Sequence, residues 1–247
     1  MDVFITGGTS GLGLALAELY YNNGHRVGLC GRDISKLPKE SKAPERWRPY
    51  TADVLNKEQL AEAIHDFSKG HRLDLLIASA GRSVGKKSKI PNFSVAQQVI
   101  EVNIFGVLNC YELALPIMQS QGTGHLCAIS SVAGFMGLPG ASSYSASKAA
   151  ITIFNESLTL DLKDSGINVS TICPGFVDTP LTRQNNHKMP FLMSSEKAAK
   201  VMKKGLDRKK SLIVYPWQMW IVVTFLSKIP RSWYRKLMGL KWLNYSG

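Results

Sequence analysis

Cysteine is scarce in this chain of 247 residues: Cys30, Cys110, Cys127 and Cys173 sit singly inside apolar segments, with no CxxC pair. That excludes a disulfide framework and the usual spacing of a structural zinc site, and it predicts reduced core thiols in a cytoplasmic protein. His25, His65, His71, His125 and His187 show no ligand spacing either, so no metal is expected. The amino terminus, MDVFITGG, lacks the basic start and apolar run of a secretion signal. No Gly/Ser- or Pro-rich stretch separates two halves and no period repeats, which excludes solenoids and propellers and makes one domain the expectation. Long hydrophobic runs are missing too. The longest, over 212–226, is interrupted by Pro216 and Gln218 and falls short of the ~20 residues needed to span a bilayer. Acid is the scarcer charge, with 18 Asp and Glu against 30 Lys and Arg, a net +12. From Lys197 onward twelve bases face one acid, Asp207, so 12 − 1 = +11 of that charge lies in the last fifth of the chain.

What is present is an alternation of short apolar runs with longer amphipathic segments. DVFIT precedes GLALAELYYNNG, HRVGLCG follows, and RWRPYTADV precedes KEQLAEAIHDFSKG. The pattern continues through LDLLIASAG, a long segment over 93–121, GHLCAISS, a segment over 142–165, INVSTICPG, a helix over about 194–208, and SLIVYP. About seven strands separated by helices predict an α/β fold, a doubly wound parallel sheet with helices on both faces. Ligands of such sheets bind beyond the carboxyl ends of the strands, where the strand order reverses. The residues just after each strand are therefore the candidates.

After the first strand, Thr6-Gly7-Gly8-Thr9-Ser10-Gly11-Leu12-Gly13 leads into a helix. Gly7 permits a tight exit, Gly11 lets the backbone approach a phosphate, and Gly13 lets helix and strand pack closely. The second strand ends in Gly31-Arg32-Asp33. An arginine at that point suits a 2′-phosphate and favours NADP(H), whereas a shift of one residue would bring Asp33 to the ribose, as NAD(H) requires. Asp33 is equally readable as the cap of the next helix. The third strand ends in Asp53-Val54, suited to an adenine lying against Val54 with Asp53 near its amino group. Tyr144 and Lys148 stand four apart at the start of a helical run after the fifth strand, which puts phenol and ammonium on one helix face. The ammonium, with an oxidised nicotinamide nearby, should lower the tyrosine pKa from about 10 and make it a usable acid and base.

With TGGTSGLG from 6, DV from 53, SAG from 79, Asn103, SS from 130, YSASK from 144 and PGFVDT from 174 in order, the chain resembles the short-chain dehydrogenase/reductase family, in its short single-domain branch. The resemblance covers roughly residues 2–215 and implies a Rossmann-type fold. It implies that Ser131, rather than Ser130, holds the substrate carbonyl oxygen. It also implies that Tyr144 moves the proton, that Lys148 binds the nicotinamide ribose, and that Asn103 bends its helix and anchors a water leading to Lys148. Pro174, Gly175, Val177 and Thr179 resemble the segment that holds the nicotinamide carboxamide, and Ala80 and Gly81 complete the cofactor set. Where the family often has Asn-Ala-Gly, this chain has Ser79-Ala80-Gly81, and a hydrogen bond supporting the sheet is expected to be lost there.

The expected activity is reduction of a hydrophobic ketone or aldehyde to an alcohol by a cytoplasmic NADP(H)-dependent homo-oligomer, a dimer or tetramer. The alternative is a dinucleotide-binding sensor or scaffold without turnover. An epimerase or dehydratase of the family's longer branch would need a larger C-terminal substrate domain. Residues 1–215 form the expected catalytic domain and 216–247 a basic, aromatic extension packed on it. For that extension three readings stay open: Trp217, Trp220, Ile221 and Phe225 cover the pocket or a subunit interface; the tryptophans anchor, among Lys228, Arg231, Arg235, Lys236 and Lys241, to an anionic membrane surface; or the charge meets nucleic acid, which no recognition motif supports. Phe135, Met136, Phe176, Met189, Phe191 and Met193 are expected near an apolar substrate.

Overall fold

The computed structural model describes residues 1–37, 43–85, 90–184 and 189–239; His187, Lys241 and the end of the C-terminal extension lie outside them. Seven strands form one parallel sheet: β1 (Asp2–Thr6), β2 (Arg26–Gly31), β3 (Trp47–Thr51), β4 (Leu75–Ala78), β5 (Gly124–Ile129), β6 (Ile167–Pro174) and, last in the chain, β9 (Leu212–Tyr215). Their order is β3-β2-β1-β4-β5-β6-β9. The chain runs outward from β1 through β2 to β3, then returns to place β4 on the other side of β1. The crevice predicted by that reversal therefore opens beyond Thr6 and Ala78.

Helices cover both faces, which explains why the strands read as continuous apolar runs. On one face α2 (Lys57–Ser68), α4 (Gly106–Gln121) and α5 (Ser142–Asp161) bury Phe4, Leu76, Leu126 and Val169. On the other, α1 (Gly11–Asn22) and α6 (Ser195–Asp207) bury Val3, Ile5, Leu75, Ile77 and Ile172. Successive residues of one strand thus enter opposite cores, and both sets are mainly apolar. The segment predicted over 93–121 is one long helix, α3 (Phe93–Ile100) joined to α4 through a wider turn at Glu101–Phe105. By length and composition it could cross a bilayer. Here Val99, Val107, Cys110, Tyr111, Ala114 and Met118 are buried, most of them in the core against the sheet.

Two features were not predicted. After β6 a two-residue strand β7 (Val177–Asp178) pairs with β8 (Met193–Ser194), tying down the segment that follows Pro174. The C-terminal extension forms α7 (Trp217–Lys228) and α8 (Arg231–Met238). Met219, Val223 and Tyr234 from these helices form a third apolar cluster with Val132 and Met136, just past the end of β5.

Candidate active site

The turn after β1 is shaped by what cannot fit there. Gly7 has φ +64°, and a Cβ on it would lie 2.7 Å from both Cα and N of Ala80. A Cβ on Gly13 would stand 2.3 Å from the Gly7 carbonyl oxygen. Any side chain at either position forces β1, β4 and α1 apart. Ser10, the N-cap of α1, has extended backbone and makes no side-chain capping bond. The first N–H groups of α1 are therefore left to face the crevice, an arrangement suited to phosphate oxygens.

Gly31 packs on Thr9, where a Cβ would approach Oγ1 to 2.6 Å, so Arg32 emerges exposed beside the same turn. Asp33 faces elsewhere: its carboxylate accepts from the Ser35 amide at 3.0 Å and the Ser35 hydroxyl at 2.6 Å, capping the short turn Ile34–Lys36. Of its two predicted roles, the cap is the one seen. Asp53 forms a local turn by accepting from the Leu55 amide at 3.0 Å. Val54 is only 6% exposed and packs in the core, its Cγ2 against Gly106, while its carbonyl accepts from Asn109 at 2.9 Å. The Val54 side chain thus turns inward, packed against α4.

On the other side of the crevice, β5 delivers the serine pair. Ser130 is committed to the scaffold: its hydroxyl donates to the Lys148 carbonyl at 2.8 Å and shares a 2.8 Å hydrogen bond with Thr152. Ser131 faces the cleft and accepts from the Ala133 amide at 3.1 Å. Tyr144 sits in the first turn of α5, half-buried, and Lys148 one turn later is 6% exposed. The Lys148 ammonium donates to the Ile129 carbonyl at 2.7 Å and lies 5.7 Å from the centre of the Tyr144 ring.

Burial pushes the Lys148 pKa down to about 8, since a low-dielectric site disfavours the cation. Burial also raises the Tyr144 pKa, and a hydrogen bond with Ser131 opposes that rise. Among the protein groups alone, burial is the larger effect. They hold Tyr144 neutral, in its proton-donating form.

Asn103 lies in the wide turn between α3 and α4 and is 1% exposed. It accepts from the Arg82 amide at 2.8 Å and donates to the Arg82 carbonyl and the Ser147 hydroxyl, each at 3.0 Å. Ser147 in turn donates to the Tyr144 carbonyl at 2.8 Å. Asn103 thus joins the segment after β4 to the start of α5. Next to Ser79, the Ala80 amide donates to the Thr6 hydroxyl at 3.4 Å and links the segment after β4 to β1.

These parts enclose a cleft of about 190 Å³. Of the predicted residues, Gly7, Ser10, Gly11, Leu12, Gly13, Ala80, Gly81, Ser131, Tyr144, Lys148, Pro174, Gly175, Val177 and Thr179 line it. Thr9, Arg32, Asp53, Val54 and Asn103 do not, being set behind or beside it. Sequence reasoning missed Ile129, whose contribution is a backbone carbonyl and leaves no mark in the side-chain pattern. It also missed Thr182, whose hydroxyl donates to the Val177 carbonyl and pairs with Thr179 at 3.1 Å. Among the described residues, no group of three or more His, Cys, Asp or Glu side chains is placed to hold a metal.

Comparison with known proteins agrees with this arrangement. Residues 2–190 match the short chain dehydrogenase family. An uncharacterized oxidoreductase of Myxococcus xanthus is 36% identical over 230 residues, covering 91% of this chain and 90% of that protein. An uncharacterized oxidoreductase of Staphylococcus aureus is 36% identical over 187 residues, 74% of this chain and 80% of its own length. In fold, the chain is similar to a short chain dehydrogenase from Burkholderia cenocepacia in complex with NADP, with TM-score 0.84, 24% identity, and coverage of 97% and 98% of the two chains. A short chain dehydrogenase/reductase from Burkholderia phymatum in complex with NAD gives TM-score 0.81 at 23% identity, covering 90% and 91%. With the family matched over most of its length and its sheet, crevice and relatives in agreement, this chain belongs to the short-chain dehydrogenase/reductase family of oxidoreductases.

Proposed function

We propose that the protein is an NADP(H)-dependent reductase that converts a hydrophobic ketone or aldehyde to an alcohol, with Tyr144 as the proton donor. The observation that carries this reading is the convergence of Ser131, Tyr144 and Lys148 on the same cleft as the glycine turn after β1. The fit to a dinucleotide rests on the cradle that a Cβ at Gly7 or Gly13 would fill, and on the uncapped start of α1. Gly7, Thr9, Ser10, Gly11, Leu12 and Gly13 are assigned to the phosphates, and the exposed Arg32 to a 2′-phosphate, with Asp33 withdrawn into its cap. Asp53 and Val54 border the adenine. Ala80, Gly81, Pro174, Gly175, Val177 and Thr179 surround the nicotinamide end, with Lys148 on the ribose. Both NADP and NAD occur among the fold relatives, so Arg32 carries the preference.

When bound, the reduced nicotinamide supplies the hydride. Ser131 donates a hydrogen bond to the substrate carbonyl oxygen and orients it. As electrons of the C=O double bond move to that oxygen, Tyr144 releases its phenolic proton there, and the alcohol forms. Lys148, with a pKa brought down to about 8, is suited to return a proton to the Tyr144 phenolate near neutral pH. Asn103 holds the Gly81–Arg82 backbone against α5 and so fixes the wall on which these groups sit. Exposed Ile153 and Leu160 on α5 support self-association, read by sedimentation velocity.

The test is a panel of apolar ketones and aldehydes with NADPH, using the parent and Tyr144→Phe. The variant should lose about two to four orders of magnitude in turnover while keeping its affinity for NADPH. A parent that binds NADPH tightly yet reduces nothing on the panel is instead a dinucleotide-binding sensor or scaffold.

A further inference from the structure

The helices α7 and α8 present two chemically opposite faces. Inward, Met219, Val223 and Tyr234 pack on the loop after Ser131, Phe135 meets Trp220 edge-on at 5.9 Å, and Tyr234 donates to the Gly137 carbonyl at 2.6 Å. The pair is therefore docked on the fold as a fixed element. Outward, large apolar side chains stand in water: Trp217 is 67% exposed, Ile221 56%, Phe225 68% and Trp233 70%. Trp217, Ile221 and Phe225 are spaced by four, so they form one stripe along α7, opposite Met219 and Val223. Single exposed hydrophobics are ordinary; a stripe of this size is not.

The charge around the stripe has one sign. Lys228, Arg231, Arg235 and Lys236 are exposed, and from Arg208 to Gly239 the sequence holds seven bases and no acid. Large aromatic and aliphatic groups carried on a segment with bases and no acid are complementary to a surface that offers both acyl chains and negative headgroups. A second copy of the chain is a poor match, because a two-fold contact would set these basic rims against each other. Nucleic acid offers phosphates to the rim and bases to the aromatic rings, but nothing to Ile221.

We propose that the outward face of α7 and α8 binds peripherally to an anionic lipid bilayer, with Trp217, Ile221, Phe225 and Trp233 seated among the headgroups. Pro216 and the inward-facing Met219 lie beside Gly175, so the helix that carries the stripe backs onto the cleft. The proposal is independent of the reaction assigned above, since it concerns binding and is read without turnover.

The full chain is floated with vesicles of phosphatidylcholine carrying about one-fifth phosphatidylserine, and with phosphatidylcholine alone. It should rise with the anionic vesicles, partition about tenfold less into the neutral ones, and dissociate as salt is raised. Trp217→Ser with Phe225→Ser, and separately Arg235→Glu with Lys236→Glu, should each lower partitioning by about tenfold or more, with thermal melting unchanged. Failure to float with either vesicle overturns the proposal, as does partitioning that neither variant pair alters. A dimer that Trp217→Ser with Phe225→Ser dissociates would give the face to a second copy instead.

Discussion

Lys148→Met keeps the length of the side chain and removes its charge, which isolates the cost of burying that cation. The folded protein brings the Lys148 pKa from 10.5 to about 8, chiefly by burial. At about 1.4 kcal/mol per pH unit, the difference amounts to roughly 3 kcal/mol. The sign follows from proton counting. Below pH 8 both states hold the proton, and the folded state bears the full cost of the buried charge. As pH rises from about 8 toward 10.5, the folded state releases its proton while the unfolded chain keeps it, so this group's penalty is relieved and stability rises. Buried acids oppose the trend: burial raises the pKa of Tyr20 and Cys127, whose neutral forms favour folding less as the unfolded groups ionise. These are common to parent and variant and cancel in the difference. The stability of the parent minus that of Lys148→Met should therefore climb by about 2 kcal/mol between roughly pH 7.5 and 9.5. The variant also leaves the Ile129 carbonyl without its donor, a cost of about 1–3 kcal/mol that offsets the curve without tilting it. Urea unfolding followed by circular dichroism at fixed pH values, extrapolated linearly, measures the difference. A flat difference across that window would refute the reasoning, because it would mean that Lys148 keeps an ordinary pKa in the folded protein.

Five further outcomes are expected. Gly7→Ala combines an unfavourable φ with a Cβ 2.7 Å from the Ala80 backbone, and should lower stability by about 3 kcal/mol, seen as a fall in melting temperature of order 10 °C; an unchanged melting curve would show that the turn relaxes freely. Ser131→Ala should reduce turnover about a hundredfold or more with little change in melting. Ser130→Ala should do the reverse, costing about 1–3 kcal/mol of stability because the Lys148 carbonyl and Thr152 lose a buried partner. Arg32→Asp should cut the preference for NADPH over NADH by tenfold or more, roughly the value of one charge-assisted contact, read from the ratio of kcat/KM for the two cofactors. Asn103→Ala removes hydrogen bonds to both polar groups of the Arg82 backbone and to Ser147, so amide exchange at Arg82 should quicken and unfolding should come about 2 kcal/mol earlier.

The sheet was legible because its demands are local and repeated. Runs such as LDLLIASAG alternate between two buried faces, and no polar pattern would survive there. The turn after β1 was legible for a steric reason, since only glycine tolerates the approach of Ala80 to residue 7 and of the Gly7 carbonyl to residue 13. The spacing of Tyr144 and Lys148 on one helix face likewise follows from the helix repeat. Neighbouring assignments depended on contacts that sequence distance hides. Asp33 was readable as a ribose partner or as the cap of a turn, and the folded chain shows it bonded to Ser35 as a cap. Val54 faces inward because Gly106, more than fifty residues later, leaves room for it. Ser130 and Ser131 are identical in chemistry and adjacent in the chain, yet one hydroxyl is consumed by α5 while the other bonds with Tyr144.

By itself, then, the sequence determined the layered sheet, the glycine turn and the Tyr-Lys helix face, since each follows from backbone sterics or periodicity within a few residues. Only the tertiary structure decided which way the titration of Tyr144 and Lys148 moves and which sides of α7 and α8 meet water. Burial is a property of neighbours brought from distant parts of the chain, and no local pattern contains it.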